Sequence, residues 1–197
     1  MNEFRVQSNG FLECLDKVEE ASDWKKRYGN MERGRGLGVA GSSYISGTNY
    51  PIYPNDMPQA SAQVQIERSG RVTVLHGASE IGQGSDSTMA YIACEELGVP
   101  LEYVRVFSAD TDLTPVDLGA YSSRETLMVG NAVLTACREL NAKIRASVTS
   151  ELGCSAEDVR LADGWAFGGG ERMPIAQAFM LAETEHGTLG AVGHYNT

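Results

Sequence analysis

Positive charge is scarce in this chain: 16 Lys and Arg stand against 26 Asp and Glu, a formal net charge of -10. No basic stripe is available to replace phosphate counterions, which argues against nucleic acid as a partner. The densest basic run, Lys25-Lys26-Arg27 with Arg33 and Arg35 behind it, follows acidic residues and reads as a solvated helix end. Long apolar runs are missing too; none approaches the roughly 18–20 residues that span a bilayer. The N-terminus carries no secretory leader pattern, so a cytoplasmic chain without a membrane partner is expected. Cys14, Cys94, Cys137 and Cys154 form no CxxC pair, which argues against a zinc knuckle or an iron–sulfur loop. Cys94 and Cys137 fall in expected helices and read as buried, reduced thiols. A GxxxxGK[ST] phosphate loop, tandem repeats and low-complexity segments are likewise absent. What remains is ordinary globular material, 42% hydrophobic over 197 residues, enough for one sizeable domain or two small lobes.

Periodicity gives the elements. Phe11, Leu15 and Val18 recur at helical spacing, with Trp24 extending the stripe, and predict a helix from about 11 to 28, stopped by Gly29-Asn30. A glycine-rich strand is expected over Gly34–Gly41, then an irregular stretch from Ser42 to Pro58. Ala60, Ala62, Val64 and Ile66 alternate with polar residues, Ser69-Gly70 turns the chain, and Val72 and Val74 resume the alternation: a hairpin. The segment Gly77–Ser85 opens into a helix with Ser85 as expected cap and Met89, Ala93 and Leu97 on its buried face. Residues 101–107 read as a strand. After a polar loop from Asp110 to Tyr121 comes the longest helix. Val129, Val133, Ala136, Leu140, Ile144, Val148 and Leu152 share one of its faces, and its expected length is roughly 40 Å. Ser122-Ser123-Arg124-Glu125 has the form of a capping box, with Glu125 reaching back to Ser122. A short hairpin around Asp163-Gly164, a helix near Pro174 and a strand near 188–194 complete the chain. The fold class is α+β, with helices layered over mixed sheets rather than an all-parallel doubly wound sheet.

Two helix starts carry the candidate chemistry: Gly82, Gln83, Gly84 and Ser85, and Tyr121, Ser122, Ser123 and Arg124. Each is expected to present free backbone N–H groups and the positive end of a helix dipole, the elements of an anion site. Glycines let the backbone approach a ligand, Gln83 both donates and accepts, and the hydroxyls and guanidinium of the second start can meet oxyanions. Taken alone, each pattern is also explained by a tight turn or a cap.

The stretch Gly77-Ala-Ser-Glu-Ile-Gly-Gln-Gly84 resembles the GxxEMGQG segment of the xanthine dehydrogenase and aldehyde oxidase family of molybdenum hydroxylases. Ala109-Asp-Thr-Asp-Leu-Thr-Pro115 resembles that family's DTDxxP segment. Gly119-Ala-Tyr-Ser-Ser-Arg124 and Gly130-Asn-Ala-Val133 follow in the same order and spacing. The likeness runs from about Arg33 to Thr197, and more loosely back to Phe4. Within the family it leans to the large subunit of 4-hydroxybenzoyl-CoA reductase, through Phe4-Arg-Val-Gln-Ser-Asn-Gly10, Tyr44-Ile-Ser-Gly-Thr48 and Tyr121–Arg124.

The resemblance implies a division into an N-terminal helical segment, 1–32, and a partial molybdopterin-binding domain of two α/β lobes, 33–197. It implies that Gly82, Gln83, Gly84 and Ser85 form one wall of a cradle for molybdopterin or its cytosine dinucleotide form. Tyr121, Ser122, Ser123 and Arg124 form the other. The region Ile45–Thr48 falls on the substrate side, with Gly47 where some relatives have an aromatic residue. The family's catalytic glutamate belongs to a far C-terminal segment that this sequence does not contain, so no catalytic residue and no protein metal ligand is assigned. A capping role suits Glu125 and a surface role Glu80. The expected function is part of an oxidoreductase that hydroxylates aromatic or heterocyclic small molecules, or removes a ring hydroxyl from a hydroxybenzoyl-CoA-like substrate, and that is inactive as this chain alone. Its implied partners are the remaining molybdenum-subunit segments and iron–sulfur and flavin subunits or domains; exposed apolar faces on the long helix would favour such a split subunit. The alternatives are a structural module, pairing with itself as a homodimer, or a small-anion binder without cofactor.

Overall fold

The first helical stripe ends sooner than its spacing predicts. Helix α1 covers Phe11–Ser22 and α2 only Trp24–Arg27, because Asp23 between them takes the left-handed conformation at φ 54°. Trp24 stacks on Tyr28 with ring centroids 4.6 Å apart. The expected strand over Gly34–Gly41 does not form. Close backbone approach is realised at Gly41, where a Cβ would stand 2.8 Å from Cε2 of the Phe11 ring. The structure, a computed structural model, describes residues 8–42 and 60–196. They belong to two units, Met1–Ser43 and Tyr44–Thr197. Residues 4–7 and Tyr44–Thr48, on which part of the family resemblance rests, lie outside the described residues.

In the second unit the alternation at 60–76 becomes strands β1 (Ala60–Ile66) and β2 (Val72–His76), antiparallel with Val64 opposite Val74. Gly70, at φ 86°, closes the turn. Helix α3 (Ser85–Leu97) then carries the chain back to β3 (Val104–Ser108), which pairs parallel to β2. The first part of the expected 101–107 strand is a 3-10 turn, Leu101–Tyr103. Helix α4 runs Glu125–Ser147; Val148, at φ -106° and ψ 2°, interrupts it before the short α5 (Thr149–Leu152). At 1.5 Å per residue α4 is about 35 Å long rather than the expected 40. The hairpin at Asp163-Gly164 forms as β4 (Arg160–Ala162) and β5 (Trp165–Gly168), joined by an unanticipated third strand, β6 (Glu171–Pro174). Helix α6 (Ile175–His186) and β7 (Gly190–Tyr195) follow, and β7 pairs antiparallel to β1.

The larger sheet has the order β3-β2-β1-β7, with parallel and antiparallel neighbours, and the smaller is β4-β5-β6. Helices over mixed sheets are what the sequence pattern implied. One face of the larger sheet, with Ala62, Val64, Val72 and Val74, is buried against α3 and α4. From α4 come Val129, Ala132, Val133, Ala136 and Leu140, and from α3 Met89, Ala93 and Leu97. Each fully buried Val, Leu or Met contributes about 1.5–3 kcal/mol, so this layer holds the unit together. Strand β7 approaches α4 so closely that a Cβ at Gly193 would overlap the Ala132 carbonyl and stand 2.7 Å from the Ala136 nitrogen. The apolar stripe of α4 is used inside the chain, and Leu127 is its one exposed large hydrophobic residue among those described. No helix of the described residues is long and apolar enough to cross a membrane.

Candidate functional site

Parallel pairing of β2 and β3 puts both chemistry-bearing loops at one edge of the sheet. The last matched pair is His76 and Ser108, so residues 77–84 and 109–120 leave from the same carboxyl end. In open α/β sheets ligands sit outside that end. The loops also touch. A Cβ at Gly77 would fall on the Pro115 carbonyl oxygen and stand 2.7 Å from the Asp117 nitrogen, so only glycine lets residues 115–117 cross the end of β2. Ser108 donates to Asp86 Oδ2 at 3.1 Å, fastening the end of β3 to the first turn of α3.

The Gly82–Ser85 turn differs from its expected form in one respect. Two of its four N–H groups, those of Gly82 and Gly84, are already engaged, by Glu80. The Glu80 carboxylate accepts from the Gly82 nitrogen at 2.7 Å, Gly84 at 3.0 Å and Asp86 at 3.2 Å, and from the Ser85 hydroxyl at 3.2 Å. The Gly84 N–H is the largest of the influences that hold this carboxyl below the usual glutamate range. Ser85 is therefore not the cap. Gly84 occupies the cap position at φ 81°, and the carboxylate five residues back from Ser85 does the capping. Gln83 is turned into the same turn: its amide nitrogen donates to the Ser79 carbonyl at 2.9 Å and to Ser85 Oγ at 3.2 Å, while its oxygen accepts from the Ile81 nitrogen at 2.6 Å.

The second helix start is built from strain and buried charge. Tyr121–Ser123 make a 3-10 turn in which Ser122 (φ 55°) and Ser123 (φ 54°) are both left-handed. The expected capping box does not form. Helix α4 begins at Glu125 with no side-chain cap, and the Glu125 carboxylate is buried without a hydrogen-bond partner. Arg124 is not offered to solvent either. It is 1% exposed, and its Nη1 donates to Asp117 Oδ1 at 2.8 Å and to the Gly119 carbonyl at 3.0 Å. Its guanidinium also lies 5.5 Å from the centre of the Tyr121 ring. Arg124 thus braces this wall through Asp117 and Gly119. Ser123 is exposed, Tyr121 half-buried and Ser122 buried.

Sequence reasoning missed Asp117, His76 and the fate of Glu125. Asp117 is a loop residue that no local pattern marks, and burial pushes its carboxyl up against the pull of the Gly119 N–H and of Arg124. His76 is fully buried at the end of β2; burial lowers its pKa, with Asp86 and Asp117 pulling the other way. Burial first, and the Asp117 charge second, push Glu125 up to about 7 against the opposing pull of Arg124.

Above Gly82 and Gly84, at φ 94° and 81°, an added Cβ would meet nothing within 4 Å, so a ligand can lie directly on the backbone there. Direct contact with those N–H groups requires Glu80 to give them up. Among the described residues no three His, Cys, Asp or Glu side chains are placed to hold a metal ion.

Residues 17–197 match the molybdopterin cofactor-binding domain family. Over 168 residues the chain is 38% identical to the xanthine dehydrogenase molybdenum-binding subunit of Escherichia coli O157:H7, an alignment that takes in 81% of this chain and 22% of that protein. Quinoline 2-oxidoreductase from Pseudomonas putida 86 is similar in structure, with a TM-score of 0.62 at 27% identity, over 71% of this chain and 19% of that one. Reconstituted CO dehydrogenase from Oligotropha carboxidovorans shares the fold, with a TM-score of 0.66 at 24% identity, over 95% of this chain and 25% of that one. The chain thus spans about a fifth to a quarter of the length of these proteins.

Proposed function

The chain belongs to the molybdopterin cofactor-binding domain family, and on that premise we propose that it builds two walls of the cofactor cradle in a larger cytoplasmic molybdenum oxidoreductase. The observation that carries this reading is the emergence of both loops from the carboxyl ends of two parallel neighbours, β2 and β3. Gly82, Gln83, Gly84 and Ser85 are one wall. Tyr121, Ser122 and Ser123 are the other, and Arg124 holds it in shape through Asp117. The cofactor is molybdopterin or its cytosine dinucleotide form, and when bound it supplies two-electron and oxygen-atom transfer chemistry. The residues of this chain bind and orient: the open glycines let the pterin lie on the backbone, and the Gln83 amide offers donors that exchange from Ser79 and Ser85 to the cofactor.

Exposed Ile81, Leu113 and Val116 flank the same loops. They are the apolar surface that the remaining molybdenum-subunit segments would cover, with iron–sulfur and flavin partners completing the electron path. The substrate class is a small aromatic or heterocyclic molecule, in line with the quinoline named for one structural relative. Its reaction is ring hydroxylation or, as in the 4-hydroxybenzoyl-CoA reductase likeness, reductive dehydroxylation. A second reading, a module that holds no cofactor by itself, is favoured by the engagement of the turn's N–H groups by Glu80. The test is Gln83→Ala in the complete assembly. At cofactor concentrations well below saturation, where occupancy tracks affinity, molybdenum occupancy should fall about fivefold, the equivalent of one hydrogen bond of ~1 kcal/mol, with circular dichroism unchanged. Unchanged occupancy would overturn the assignment of the first wall.

A further inference from the structure

Beneath the two walls lies a polar cluster for which the cofactor reading has no use. Among the described residues, six buried side-chain atoms lack a hydrogen-bond partner: Nδ1 and Nε2 of His76, Oδ1 of Asp86, Oδ2 of Asp117 and both carboxylate oxygens of Glu125. These four side chains come from four different segments: the end of β2, the first turn of α3, the loop before Tyr121, and the first residue of α4. Buried polar atoms are satisfied almost everywhere in folded proteins, so a concentration of orphans calls for an occupant.

The charges say what that occupant is. Asp117 and Glu125 are both buried, and the one cation among them, Arg124, makes its 2.8 Å ion pair with Asp117. His76 Nε2 stands 3.6 Å from Asp86 Oδ1, too far for a direct hydrogen bond. An ionised Glu125 would add a second buried carboxylate beside Asp117 with no cation and no N–H donor of its own, a state that low-dielectric surroundings strongly disfavour. A proton on Glu125 removes that second buried charge.

We propose that His76, Asp86, Asp117, Arg124 and Glu125 form an internal proton-binding site, in which Glu125 exchanges its proton near neutral pH instead of in acid. Among the described residues, the groups facing it from other elements are few. Strand β2 brings His76, α3 brings Asp86 at the rim, and the preceding loop brings Asp117. Strand β7 brings His194, exposed and bonded to Ser61, and Tyr195, packed against the core. Helix α6 reaches α4 at the far end, where Glu185 accepts from Ser147. None of these supplies Glu125 with a positive neighbour besides Arg124. Burial and the Asp117 charge, which push the Glu125 carboxyl up to about 7, act in the same direction. Because Glu125 opens α4 directly after the Tyr121–Arg124 turn, loss of its proton places a new charge against the second wall. The site stands whether or not a cofactor is ever bound there.

The experiment is a carboxyl-detected NMR titration of the uniformly 13C-labelled 197-residue chain from pH 4 to 9. The Glu125 carboxyl is assigned through its own side-chain carbons, so no variant is needed. A midpoint near 7 supports the site, as does disappearance of that transition in Glu125→Gln with the remaining spectrum retained. A Glu125 carboxyl that titrates with the exposed glutamates, below about pH 5, while the spectrum remains that of a folded chain would overturn it. If Glu125→Gln does not fold, the wild-type midpoint alone decides.

Discussion

Replacing Arg124 by Met removes the partner of Asp117 while nearly conserving volume. Both side chains are 1% exposed and 2.8 Å apart. Without the guanidinium Asp117 retains the Gly119 N–H at 2.8 Å as its donor and faces Glu125 and His76. Breaking a buried ion pair from one side costs about 3–5 kcal/mol, a large share of the ~5–15 kcal/mol that stabilises a typical domain. Part of that cost can be relieved by protonation. Burial already pushes the Asp117 carboxyl up against the pull of Arg124, and removing the arginine raises it further. A folded-state pKa raised above the unfolded one favours the folded state at low pH, and that advantage is lost as pH rises through the folded value. The destabilisation by Arg124→Met should therefore be smaller at pH 5 than at pH 8, and Asp117→Asn added to it should recover part of the loss. Urea unfolding followed by circular dichroism at the two pH values measures both effects. A loss under about 1 kcal/mol at both values, as for an exposed surface pair, would refute the reasoning.

Glu125 makes a related prediction for the wild-type chain. With its folded value at about 7 and an ordinary unfolded value, stability should fall as pH rises between about 4.5 and 7, by up to ~3 kcal/mol, and then level off. In Glu125→Gln that slope should vanish from thermal midpoints measured across the same window. Glu80 has the opposite sign. Its carboxyl is held low by the Gly84, Asp86 and Gly82 N–H groups, so its contribution persists above the usual glutamate value and is lost in acid as pH falls through its folded value. Protection of those three amides, taken relative to their intrinsic exchange rates, should fall as Glu80 is protonated in acid and, in Glu80→Gln, at every pH; unchanged protection in the variant would contradict the capping geometry. Gly193→Ala should cost roughly 1–3 kcal/mol in thermal unfolding, because its Cβ has no room against α4. Gly36→Ala, with nothing within 4 Å of the added carbon, should stay within about 0.5 kcal/mol.

Local signals were readable in the sequence wherever a local rule governs the outcome. The hairpins at Gly70 and Gly164 follow from period-two alternation around a residue at positive φ, and the core face of α4 follows from the spacing of Val129, Val133, Ala136 and Leu140. The two candidate loops were legible as motifs, and the fold brings them to one sheet edge. What escaped depends on contacts distant in sequence. A parallel β2–β3 pair cannot be distinguished from a meander by alternation alone. The strand at Glu171–Pro174 is short and without a periodic signature. Ser-Ser-Arg-Glu satisfies the capping-box pattern, yet Glu125 is drawn into the core beside Asp117, and Arg124 is withdrawn from the surface by the same residue. In the first turn the N–H groups of Gly82 and Gly84 are taken up for a reason that was in plain view, a carboxylate two residues before Gly82.

The central claim is that this chain supplies two walls of a molybdenum cofactor cradle completed by other polypeptide. Native mass spectrometry of the protein isolated from its source cells, with molybdenum quantified in the same sample, tests it most directly. The account predicts a complex heavier than the 21.2 kDa of this chain, containing molybdenum and further subunits or segments. A metal-free monomer or homodimer would contradict it and leave a structural module that retains the fold of the family without the cofactor.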